Sequence, residues 1–229
     1  MPTPVELTRH FDRELGNLKQ DLLRMAALAE TAVSKSVESV TNRDSDRARE
    51  VIIDDITLNR MELAIEEQAF KLLALRQPVA TDLRLTVAAM RIATELERIG
   101  DQAVNIAERA LELNSRPPLE LPIDIKLMAD MALGMVRTSI DAFVNQDPKL
   151  ALQVCQRDVE VDILDDEYIQ KLLDSMIQES RWVTRLHHFI IVVRNLERIA
   201  DLATNIAEDI VFIVEGRVIK HRCEDWMMS

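Results

Sequence analysis

Apolar side chains recur at alternating steps of four and three near the start of the chain: Phe11, Leu15, Leu18, Leu22, Met25, Ala29 and Ala32. That is the heptad seam of a packed helix. The seam fades at the polar break Thr41-Asn42-Arg43-Asp44. Asp44 or Ser45 then offers a side-chain cap for a second helix. That helix runs to about Arg76, because Pro78 lacks an amide hydrogen and disfavours helix in the residue before it. Thr81 or Asp82 offers a cap for a third helix, reaching about Asn114. Three prolines fall within 116–122, the best linker in the chain. The plan then repeats. A fourth helix runs from about Pro122 to Val144, with Met128, Met131, Met135, Thr138 and Ala142 on the same step. A turn at Asn145-Gln146-Asp147-Pro148 separates it from a fifth helix over about 149–179. A sixth covers about 182–215, with Gly216 at its C-terminal end. The pattern predicts an all-α chain of six long helices in two tandem three-helix bundles: 1–115, a linker over 116–122, and 123–229.

Residues 96–108, LERIGDQAVNIAE, return as 196–208, LERIADLATNIAE, with 10 of 13 positions identical. The chain is therefore a tandem duplication. Each copy keeps one polar set: Glu97, Asp101 and Asn105, then Glu197, Asp201 and Asn205. The apolar seam of each helix is Leu96, Ile99, Ala103, Ile106, Ala110 and Leu113, and Leu196, Ile199, Ala203, Ile206, Ile210 and Ile213. At about 100° per residue the polar stripe lies roughly 120–180° round from that seam. It is expected to face away from the core of its own bundle.

Composition narrows the function. Only four glycines in 229 residues fit long helices with few tight turns. A net charge of −12 without a basic stripe argues against nucleic acid and favours cations or basic surfaces. Two cysteines, Cys155 and Cys223, make no disulfide framework, and the expectation is a reducing compartment. Cys155 reads as a small buried hydrophobe. No apolar run is long enough to span a membrane, and the N-terminal stretch has no apolar signal core. The expected location is the cytoplasm.

The bland account of the stripe is a solvated face. Two features oppose it. Both copies retain Glu, Asp and Asn at identical offsets, where a merely wet face would drift. Carboxylates at i and i+4 also repel by a few tenths of a kcal/mol, a cost that a bound cation reverses. Two carboxylates and an amide oxygen suit Mg²⁺, Mn²⁺, Ca²⁺ or carboxylate-bound iron, not a structural Cys/His zinc site. The set does not by itself tell Mg, Mn, Fe and Zn apart as native ions. The second helix of each half adds Asp55 with Asn59, and Asp158 with Asp162, each pair at i, i+4. The separation from Asp55 to Asp101 is three residues longer than from Asp158 to Asp201, so a short indel is expected near the connection between helices five and six. Arg98 and Arg198 read as intramolecular ion-pair partners. Of the adjacent His187 and His188, one is expected to be buried or hydrogen-bonded.

The segment ALRQPVATDLR (74–84), with ELERIGDQAVNIAE and NLERIADLATNIAEDIVFIVEG, resembles the PhoU family of bacterial phosphate-transport regulators. HFDRELGNLKQDLLRMAALAE is similar to that family's first helix. The family motif, an acid, three spacers and Asp, matches Glu97 with Asp101 and Glu197 with Asp201. The resemblance implies a PhoU-like two-repeat fold whose concave face can hold metal clusters, with Asp55, Asp158 and Asp162 as further ligands. Asn59 stands where an acid would bind more strongly. It also implies a non-catalytic role: restraint of phosphate uptake and repression of the phosphate-starvation regulon. The implied partners are the ATPase subunit of the phosphate ABC transporter and a sensor histidine kinase. A homodimer is implied, peripheral to the membrane only through those partners.

Two rivals stand beside this reading. One is a carboxylate-bridged metal enzyme in a helical bundle, which uses Glu-x-x-His. Three residues before His10, His187, His188 and His221 stand Leu7, Thr184, Arg185 and Val218, so that signature is absent. No Gly-rich phosphate loop and no recognisable nucleophile motif appears either. The other rival is a metal-free scaffold whose acid stripe docks a basic partner.

Overall fold

A computed structural model describes residues 4–216, with side chains from Phe11 onward. Cys223, His221 and the segment Trp226–Ser229 lie outside the described residues, as does the side chain of His10. Six helices and no strand are found among the described residues: α1 Pro4–Thr41, α2 Ser45–Arg76, α3 Ala80–Asn114, α4 Ile125–Asn145, α5 Pro148–Gln178 and α6 Val183–Glu215. The all-α architecture follows the heptad pattern.

The caps explain most boundaries. Asp44 accepts from the amides of Asp46 and Arg47 and starts α2. Asp147 accepts from the amide of Lys149, with Pro148 in the first turn of α5. Gly216 ends α6 in the left-handed region at φ 70°. Two expectations are corrected. Neither Thr81 nor Asp82 caps α3; the helix starts at Ala80 after Val79, which makes no side-chain cap bond. And α4 begins at Ile125 rather than near Pro122, because Asp124 accepts from the amide of Leu127. The residues between run as a tethered linker. Leu119, Leu121 and Ile123 pack on the core, and Arg185 donates to the Pro117 carbonyl.

Helices α1, α2 and α3 pack together, as do α4, α5 and α6, and α3 and α6 pack against each other between the two bundles. Helix α1 also touches α4. Arg91 pairs with Asp209, and the Glu95 carboxylate accepts from Asn205 one turn further on, so α3 and α6 run in opposite directions. Because α3 touches α1, α2 and α6, its buried arc is wider than one seam and takes in Ala88, Ala93, Gly100 and Ala107. The predicted seam residues of α3 and α6 are all buried.

The three-residue difference between the halves falls where it was expected. Three residues, Gln77-Pro78-Val79, connect α2 to α3. In the second half the chain passes from α5 through a single 3-10 turn, Ser180–Trp182, and α6 begins later in register than α3. Cys155 is buried but is not a free thiol, which corrects its reading as a simple buried hydrophobe in a reducing compartment.

Candidate functional site

The buried seam of α2, which packs against α1 and α3, is Ala48, Val51, Leu58, Ile65, Ala69 and Leu72. Steps of three and four place Asp55 and Glu62 in that same inward seam. Helix α5 repeats the arrangement: Ala151, Val154, Val161, Tyr168 and Leu172 are buried, and Asp158 and Asp165 fill the intervening positions. A carboxylate in a core seam is costly unless something compensates its charge. Two such acids, seven residues apart, on both copies therefore mark a candidate site. The sequence reading chose Asp55 and Asp158 but passed over Glu62 and Asp165. Asp165 lies 103 residues after Glu62, the offset that relates Asp55 to Asp158, so the repeat itself carried the signal.

On the first face, Asp55 and Glu62 of α2 meet Glu97 and Asp101 of α3. Burial first, and then Asp101, Glu62 and Asp55 in that order, push the Glu97 carboxyl up to about 7. Burial and Asp101 also raise Asp55, against a hydrogen bond of 3.0 Å from the Asn59 amide to its Oδ2. The two helices approach closely here: a Cβ on Gly100 would stand 2.5 Å from Leu58 Cδ1 and 3.2 Å from Asp55 Oδ1. Glu62 accepts from the Thr94 hydroxyl at 2.9 Å. Asp101 is exposed at the rim.

The second face carries more acid. Asp158, Asp162 and Asp165 of α5 meet Glu197 and Asp201 of α6, with the buried Glu208 beyond. Burial, then Asp201 and Asp165, push Glu197 up to about 7. Burial, then Asp162 and Asp201, push Asp158 up to about 6. Burial and Asp201 raise Asp162. Burial raises Asp165 too, although Arg194 opposes it from 2.7 Å. The Thr204 hydroxyl lies beside Asp158 and favours its charged form, although its Oγ1 makes no hydrogen bond among the described residues.

The stripes do not turn away from their bundles as the periodicity suggested. Glu97 and Glu197 are half-buried on the flanks where α2 and α5 cover α3 and α6. The added cover of those neighbouring helices is invisible to a single-helix wheel. The two asparagines separate from the set. Asn105 is exposed and makes no side-chain hydrogen bond among the described residues, and Asn205 turns across the α3–α6 seam to Glu95 at 3.4 Å. Arg98 pairs with Glu95, and Arg198 with Asp201 at 2.8 Å, as intramolecular partners. His188 is the half-buried one of the histidine pair, and burial lowers its pKa.

Seven buried side-chain polar atoms lack a hydrogen-bond partner among the described residues, and five belong to these faces: Asp55 Oδ1, Asn59 Oδ1, Asp158 Oδ1, Asp165 Oδ1 and Thr204 Oγ1. Unsatisfied buried oxygens are costly, and four of these five can only accept. Their chemistry fits a hard cation. Among the described residues, however, no three His, Cys, Asp or Glu side chains are already gathered tightly enough to hold a metal ion. The donors fit an ion in kind; enclosing one requires their side chains to turn inward.

The PhoU domain matches residues 22–110 and 125–210, one copy for each bundle. The chain belongs to the PhoU family. A relative from Caulobacter vibrioides, named phosphate-specific transport system accessory protein PhoU homolog, is 38% identical over 209 residues and spans 91% of each chain. One of the same name from Xylella fastidiosa is 32% identical over 222 residues, covering 96% of this chain and 92% of its own. The crystal structure of PhoU from Pseudomonas aeruginosa superposes with a TM-score of 0.86 at 36% identity, covering 90% of this chain and all of that one. That of the phosphate transport system regulatory protein PhoU from Streptococcus pneumoniae gives 0.84 at 27% identity, covering 91% and 98%.

Proposed function

We propose that this chain is an accessory regulator of phosphate transport that holds phosphate uptake and the phosphate-starvation response down when phosphate is plentiful. Its non-enzymatic role is to couple the phosphate ABC transporter, through the ATPase subunit, to a sensor histidine kinase, as a cytoplasmic homodimer. The observation that carries the reading is membership of the PhoU family over both repeats, supported by relatives named for the phosphate-specific transport system. The absence of any helix long and apolar enough to cross a membrane, among the described residues, agrees with action through membrane partners. Divalent cations bind both acid faces, with Asp55, Glu62, Glu97 and Asp101 holding one and Asp158, Asp162, Asp165, Glu197 and Asp201 the other. A bound cation would neutralise carboxylates that the fold otherwise keeps close together at an electrostatic cost.

The test is alkaline phosphatase activity in a strain of the source organism lacking this chain, grown in phosphate-rich medium. High activity that falls on restoring the gene is the expected result; unchanged low activity overturns the regulatory reading. A second reading, a metal-free docking scaffold, is favoured by the lack of a preformed three-acid cluster among the described residues. Metal analysis of purified protein decides between them.

A further inference from the structure

Helix α2 has a second heptad, on the face opposite its core seam. Ile53, Ile56, Arg60, Leu63, Glu67, Phe70 and Ala74 follow one another at steps of three and four, the spacing of a coiled-coil contact. Ile53 is 70% exposed, Leu63 64% and Phe70 58%. The stripe is about 30 Å long at 1.5 Å per residue, and Leu63, Phe70, Ala74 and Leu75 border a groove with Glu66, Glu67 and Lys71. Exposed apolar side chains aligned over this length mark an interaction surface.

The charges on the stripe say what covers it. Its cation, Arg60, and its anion, Glu67, lie at equal distances on either side of a centre between Leu63 and Ala64. A second α2 laid antiparallel across that centre brings Arg60 against Glu67 of the second copy, and Glu67 against its Arg60. The same two-fold sets Ile53 against Ala74 and, to within one residue, Leu63 against Leu63 and Ile56 against Phe70. Every apolar residue meets an apolar one, and each charge meets its opposite, which is the self-complementarity that a two-fold interface requires. A parallel arrangement would instead stack Arg60 on Arg60 and Glu67 on Glu67. Arg60 makes no ion pair among the described residues, whereas Glu67 lies 2.7 Å from Lys71 on its own helix. The matching face of α5 lacks this design: Val159, Ile163, Leu173 and Ile177 are exposed, but Asp166 occupies the central place that corresponds to Leu63.

We propose that two copies of this chain pair through the outward stripe of α2, antiparallel about a centre between Leu63 and Ala64, with reciprocal Arg60–Glu67 contacts. The proposal rests on the self-pairing stated under Proposed function and assigns it a surface and a register. It is tested with full-length protein by light scattering after size exclusion and by sedimentation equilibrium. Variants are Arg60→Glu, Glu67→Arg, the double reversal and Phe70→Asp, with circular dichroism checking that each stays folded. The expected result is a wild-type dimer whose dissociation constant rises about tenfold or more in each single charge variant, since the symmetry doubles every contact, and returns to near wild type in the double reversal. Phe70→Asp is expected to be monomeric. A monomeric wild type overturns the self-pairing reading itself. A dimer indifferent to all four variants keeps self-pairing but overturns this surface. Single variants that weaken the dimer without rescue by the double reversal overturn the antiparallel register. A monomer whose stripe variants lose binding to the transporter ATPase assigns the face to that partner and overturns the proposal.

Discussion

Arg194 Nη1 lies 2.7 Å from Asp165 Oδ2, at the place where the first repeat sets the Thr94 hydroxyl 2.9 Å from Glu62. The backbone positions correspond, and so do the acids, but one donor is a cation and the other is neutral. Asp165 is only 2% exposed. The second face thus carries a built-in positive charge against its most buried acid, while the first sets a neutral hydroxyl there. Replacing Arg194 by Thr, the residue of the first repeat, is expected to destabilise the metal-free protein by about 1–3 kcal/mol, the cost of leaving a buried acceptor without its partner. Added Mn²⁺ is expected to restore more stability to this variant than to wild type. Thermal melts with and without the ion read both effects.

The acid faces also predict how stability depends on pH. Glu97 and Glu197 sit at about 7 in the folded chain, and Asp158 at about 6, above their usual values of 4.5 and 3.8. A raised folded pKa means that folding favours the protonated form. The contribution of these groups is therefore complete below their unfolded values and is lost as pH rises through about 6 to 7. In chelator, Glu97→Gln and Glu197→Gln are expected to raise the melting temperature near pH 8 and to leave it unchanged near pH 4. A loss of stability near pH 8 would contradict the charge repulsion.

Metal binding at the rim is open to direct measurement. Asp101→Ala and Asp201→Ala together are expected to abolish bound divalent metal and to remove any metal-dependent rise in melting temperature. If metal content and melting both match wild type, cation binding at these faces is wrong.

Gly100 tests the spacing of the first face. Its hypothetical Cβ falls 2.5 Å from Leu58 Cδ1. Gly100→Val adds more than that one carbon, and the overpacking is expected to cost about 1–3 kcal/mol. Displacing Asp55 from α3 is expected to weaken metal binding at the first face while sparing the second.

Much of this fold was legible in the chain. The heptad steps located the helices, Asp44 and Gly216 marked ends, and the LERI repeat set the two-bundle plan. The misses at Glu97, Glu197 and Asn205 share a cause: each depends on a neighbour that the local pattern does not contain. Asp124 took the start of α4 because it stands free to cap it. Glu97 and Glu197 are half-buried because α2 and α5 lie over them, and Asn205 left its stripe because α6 faces Glu95 of α3. Glu62 and Asp165 were legible in principle, as acids at seam positions related by the repeat offset. They were missed because the i, i+4 rule drew attention to Asn59 and Asp162 instead.

The antiparallel contact of α3 with α6 gives the duplication a folding consequence. Each bundle's central helix buries one side on its own partners and another on the opposite half. A fragment ending at the proline-rich linker would leave the α6-facing side of α3 open to water, and the complementary fragment would leave α6 open in turn. Each half made alone is therefore expected to be less stable than the whole chain, although the sequence divides so cleanly there. Separately made, the fragments should find each other and fold as a pair.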